Sequence, residues 1–151
     1  VTPFMNWSPC VGSTGKPGSD YSKCPIQPYY IYDGILEIPV SIRPMKYMAT
    51  DAMNTLHSFA HELKWSRRER NVWLRPTKDP SFIALKKVLD AVSADSDYAM
   101  FMLHSSEMMP GGSPSFPDEK SIEELYNCIE AIFAYAKQCG YIGCKLSDYG
   151  N

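Results

Sequence analysis

Residues 98–103, Tyr-Ala-Met-Phe-Met-Leu, carry no charge and run directly into His-Ser-Ser-Glu-Met-Met-Pro-Gly-Gly-Ser-Pro at 104–114. An apolar run of this length, closed off by turn residues, predicts a strand buried on both faces, and the abrupt change in polarity predicts a loop that begins at His104. Strands of that kind belong to parallel sheets, whose functional groups gather in the loops beyond the carboxyl ends. That position makes His104 a candidate for chemistry; a loop histidine bonded to backbone is the alternative reading.

The remaining segments supply partners for such a strand. Residues 35–42, ILEIPVSI, read as a second buried strand interrupted by Pro39, which argues for an edge position or a local distortion. Its one carboxylate, Glu37, must meet a cation or hydrogen-bond donors, or open into a wet cavity, because an unpaired charge inside an apolar strand costs several kcal/mol. Residues 1–7 (VTPFMNW) predict a short strand, residues 72–76 (VWLRP) a short strand or extended arm, and residues 141–146 a last short strand.

Three stretches carry helical periodicity. Met53, Leu56, Ala60 and Leu63 predict a helix over 50–63, Leu85, Val88, Leu89 and Val92 predict one over 82–92, and Ile122, Leu125, Tyr126, Ile129, Ile132, Phe133 and Ala136 predict the longest, over 119–139, with Gly140 as its stop. The order strand, strand, helix, helix, strand, helix, strand predicts a single α/β domain with a largely parallel sheet or barrel segment.

Between the first two strands lies a long loop, residues 8–30, with three Gly and four Pro among its polar residues. Tyr29 and Tyr30 at its end are candidates for lining a groove, or else rings that pin the loop to the core. Arg75 could pair with a carboxylate or hold an anionic substrate. His57 and His61, four apart on a predicted helix, have chelating spacing but lie on its polar flank, so we read them as a solvated pair and assign no metal ligands. Residues 65–70, WSRRER, read as a basic patch facing water.

Composition limits the function classes. A formal net charge of −2 gives no electrostatic case for nucleic acid or an anionic membrane surface. No apolar run approaches the about 20 residues of a membrane-spanning helix, and the start does not resemble a signal peptide. The five cysteines are an odd number without CxxC spacing, which we read as reduced thiols in a cytoplasmic protein; a bridge between Cys10 and Cys24 stays open. Ten Tyr, six Phe and three Trp are many for 151 residues, a composition common in carbohydrate-binding clefts and also ordinary core material.

Taken together, ILEIPVSI, VWLRP and FMLHSSEMMPGGSPSF followed by a long amphipathic helix resemble the later half of a polysaccharide deacetylase of the carbohydrate esterase family four type, and VTPFMNW and DYSKCPIQPYY are similar to the same subgroup. The resemblance implies a partial or distorted (β/α) barrel and a metal-dependent hydrolase that removes N-acetyl groups from a glycan, with a carbohydrate as partner and oligomers possible. It implies that His104 protonates the departing amine, that Leu103 walls the acetyl pocket, that Glu37 orients a partner group, and that Tyr29, Tyr30 and Arg75 contact substrate. It also implies a divalent metal, zinc or similar. The family's early Asp-Asp motif and its preceding His-x-x-x-His pair are absent from these residues, so the expectation is that the metal ligands lie outside this chain, which would be the C-terminal portion of a longer domain. A non-catalytic carbohydrate-binding or structural module on the same scaffold is the alternative.

Overall fold

The computed structural model describes residues 1–11, 14–32, 34–45, 70–78 and 81–149. The expected helix over 50–63, with His57 and His61, and residues 65–69 of the basic patch lie outside the described residues.

Local sequence determines the two helices. Helix α1 spans Phe82–Ser93, and the Ser81 hydroxyl caps it by accepting from the Ala84 backbone N–H at 3.3 Å. Helix α2 spans Glu119–Gln138 and is capped by Asp118, whose carboxylate accepts from Ser121 N at 2.8 Å. That bond holds the Asp118 carboxyl below the usual range. At the far end Gly140 adopts φ +89°, its N–H donates to the Lys137 carbonyl, and Tyr141 N–H donates to the Ala136 carbonyl. This pair of bonds is a Schellman stop, and a residue with a Cβ would strain it.

The helices pack together. Leu85, Val88, Leu89 and Val92 of α1 meet Cys128 and Ile132 of α2 and the nearby Leu74 in one buried cluster. The expected face of α2 is correct at Ile122, Leu125 and Ile132, but Cys128 points inward while Tyr126 and Phe133 stay exposed. On the rim the Tyr135 hydroxyl donates to Asp90 at 2.6 Å and Lys86 pairs with Asp90 at 2.7 Å, which ties the helices through one carboxylate.

The strands differ from expectation. Among the described residues there are two antiparallel sheets of two strands each, with no closed barrel and no parallel ladder. Strand β1 (Tyr29–Ile31) pairs with β2 (Ile35–Glu37), and β3 (Ile42–Met45) pairs with β4 (Arg70–Trp73). The expected (β/α) barrel is therefore corrected: the described residues form two antiparallel sheets of two strands each and two helices. Pro39 accounts for part of the difference: it has no N–H for a ladder, and the apolar run 35–42 divides around it into β2 and the start of β3. Residues 1–7 form turns, with Phe4 at φ +66° and a single bridge from Asn6 to Asp20.

Residues 98–103 are extended without joining a ladder. Ser41 N–H donates to the Met100 carbonyl at 3.3 Å, the Ser41 hydroxyl accepts from Met100 N–H at 2.8 Å, and Met102 N–H donates to the Leu74 carbonyl at 3.2 Å. Ala99 and Phe101 pack on the interhelical core. The Tyr98 hydroxyl lies 2.9 Å from the Ile26 carbonyl and 3.0 Å from that of Pro39, and burial pushes its proton affinity up to about 12. Residues 141–145 likewise form no strand among the described residues. The five cysteines are unbridged, Cys10 and Cys24 included. Among the described residues no helix is long and apolar enough to cross a membrane.

Candidate functional site

His104 stands where the extended segment ends, immediately before the 3-10 turn Ser105–Met108. Below it, Leu103 packs against the cluster of Phe116, Ile122 and Leu125, so its side chain belongs to the wall under the loop. The loop is closed by Gly111, at φ +72°, whose N–H donates to the Phe116 carbonyl at 3.0 Å. Gly112 lies so close to the turn that a Cβ there would sit 2.2 Å from the Ser106 carbonyl oxygen. The Gly-Gly pair thus lets the chain fold back on the turn that follows His104, and it delivers Phe116 to a fully buried position.

Glu107 fixes the histidine's backbone. Its Oε2 accepts from His104 N–H at 3.0 Å, while its own N–H donates to the His104 carbonyl at 2.9 Å. The other carboxylate oxygen, Oε1, pairs with Arg75 Nη2. Both side chains are largely buried, Glu107 at 7% and Arg75 at 17% exposure, so neither charge is tolerable without the other. Arg75 also lies 5.8 Å from the Trp73 ring, and its Nε is buried with no hydrogen-bond partner among the described residues. The imidazole of His104 itself remains exposed.

The other expected residues gather elsewhere. Glu37 ends β2 opposite Tyr29 of β1. Burial, the neighbouring Cys24 thiol and the Glu37 charge raise the proton affinity of the Tyr29 phenol. Tyr30 is 70% exposed. Among the described residues no hydrogen bond, ion pair or ring contact joins this hairpin to His104, so the structure brings together His104, Leu103 and Arg75 but not Glu37, Tyr29 or Tyr30 with them.

Beside Arg75 opens a cavity of about 430 Å³, lined among others by Trp7, Arg70, Asn71, Trp73 and Thr77. Sequence reasoning did not assign Trp7, Arg70, Asn71, Trp73 or Glu107 to a site. Glu107 had a local signal, since a Glu three residues after the start of a turn is the spacing of a capping box. Trp7 and Trp73 had none, because their rings meet at 6.1 Å only through the tertiary fold.

The implied metal can be tested against the donor set. Among the described residues there is no group of three or more His, Cys, Asp or Glu that could hold an ion, so these residues do not fit a metal centre and we derive no step through one. Compared with known proteins, the chain matches no family model, no curated protein and no solved structure. The resemblance to polysaccharide deacetylases therefore rests on the motif residues alone.

Proposed function

We propose that this chain takes part in removing N-acetyl groups from a glycan, with His104 as proton donor. In such a reaction water adds to the acetamide carbonyl, the C–N bond breaks, acetate leaves, and the departing amine nitrogen needs a proton. Imidazole is the side chain whose ordinary proton affinity lies nearest neutral pH, which suits it to that transfer. The observation that carries the reading is the mounting of His104: Glu107 holds its backbone at both N–H and C=O, Arg75 anchors Glu107, and the imidazole is left accessible. A ring presented on a fixed backbone loses less freedom on reaching a substrate than one on a loose loop. Leu103, packed beneath it, offers an apolar wall beside the acetyl methyl group.

The test is acetate release from an N-acetylated oligosaccharide by the full-length polypeptide that carries this chain. His104→Ala should lower turnover by roughly 10²–10⁴-fold with unchanged substrate affinity. Unchanged turnover removes His104 from the chemistry.

A second reading, a carbohydrate-binding module without hydrolysis, is favoured by the paired indoles of Trp7 and Trp73 beside a cavity that Arg70, Asn71 and Thr77 also line. It predicts glycan binding by the full-length protein with no acetate released.

A further inference from the structure

The cavity beside Arg75 combines features of a site for a particular kind of sugar. Trp7 is set rigidly in the wall. Its indole N–H is taken by the Thr2 hydroxyl at 2.8 Å, and its backbone N–H donates to the Ser19 carbonyl at 3.0 Å. Gly18 lies against it so closely that a Cβ would fall 2.6 Å from the Trp7 Cβ. Trp73 meets it edge to face, at an interplanar angle of 75°, so two indole planes form a corner. Asn71 donates its amide to the Phe4 carbonyl at 3.0 Å, and Thr77 adds a hydroxyl to the lining.

The charges in this corner are one-sided. Among the described residues two guanidinium groups, Arg70 and Arg75, line the cavity and no carboxylate does. Glu107, outside the lining, already neutralises Arg75. Arg70 is exposed and, among the described residues, forms no ion pair, which leaves its guanidinium available to a ligand on this side of the cleft. A guanidinium matches a carboxylate through two parallel hydrogen bonds, and the apolar face of a pyranose ring packs well on indole. At about 430 Å³ the cavity lies within the range of small-molecule sites.

We propose that this cleft binds a carboxylate-bearing sugar, with the pyranose ring held in the Trp7–Trp73 corner and its carboxylate paired with Arg70. The proposal rests on the carbohydrate reading above and narrows it to acidic glycans. Arg75 then serves two sites at once, since the same guanidinium that lines the cleft holds Glu107 and through it the backbone of His104.

The test is titration of the full-length protein, followed by tryptophan fluorescence, with an oligosaccharide ending in glucuronate and its counterpart ending in glucose. The acidic sugar should bind at least about 10-fold more tightly, the worth of one good charge-assisted pair. Arg70→Gln, at an exposed position, should abolish that preference while keeping the affinity for the neutral sugar, and Trp7→Phe should weaken both. Equal binding of the two sugars, or a preference that survives Arg70→Gln, overturns the acidic-sugar assignment and leaves the carbohydrate reading standing. Binding of neither sugar overturns the cleft as a sugar site, and acetate release by the same preparation judges the deacetylase reading separately.

Discussion

Arg75 donates from Nη2 to Oε1 of Glu107, and this one ion pair joins the segment after β4 to the turn after His104 across 32 residues of sequence. Because the pair is largely buried, its parts are worth more together than apart. Glu107→Ala strands a guanidinium and frees the His104 N–H, so it should destabilise the fold by about 3 kcal/mol in urea unfolding. Replacing both residues, Arg75→Met with Glu107→Leu, should cost less than either single change. A double variant as unstable as the sum of the singles would show that the two side chains are not coupled.

The loop after the turn offers an independent check. Gly112→Ala would force a methyl group to within 2.2 Å of the Ser106 carbonyl oxygen, a backbone atom that moves only with the whole turn. The expected cost is about 1–3 kcal/mol, with faster amide exchange over residues 104–116 than over α1. Exchange at the unaltered rate in that loop would contradict the close approach.

Acid stability should report on the cap of α2. The Asp118 carboxyl is held below its ordinary value chiefly by the backbone hydrogen bond from Ser121, so its stabilisation is complete above the unfolded carboxylate range and is lost as pH falls through the lower folded value. Asp118→Asn keeps a capping acceptor but carries no charge to titrate. The difference in melting temperature between the two proteins should therefore shrink as the pH is lowered from 6 to 3, and a constant difference would remove Asp118 from the acid response.

The helices were legible because their information is local. Apolar residues at 85, 88, 89 and 92 repeat at the helical period, and Ser81, Asp118 and Gly140 mark ends within a few residues of the segments they close. The arrangement of the strands was not, and the expected barrel failed, because strand partners are chosen by tertiary contact. The runs at 98–103 and 141–146 have the composition of buried strands, yet neither has a ladder neighbour among the described residues, Leu146 opens a 3-10 turn, and Pro39 splits a third run. At the site, the position of His104 at the end of an apolar segment was visible from polarity alone. The contact of Arg75 with Glu107 was one of two options open for that arginine, and nothing local identified the carboxylate. Glu37, Tyr29 and Tyr30 were grouped with His104 by family resemblance, and they lie together on a separate hairpin.

The clasp at Ser41 has a consequence for how the reactive end of the segment is positioned. In a sheet, a strand is indexed against its neighbour at every second residue, so a slip must break many bonds together. Here the main chain of residues 98–103 is indexed at two points, Met100 against Ser41 and Met102 against Leu74, and at the first of these a side-chain hydroxyl stands where a neighbouring strand would offer a carbonyl. How far His104 reaches along its own axis is thus set by two residues, Ser41 and Leu74. Ser41→Ala would loosen the gauge of the whole loop while leaving every apolar contact beneath it in place.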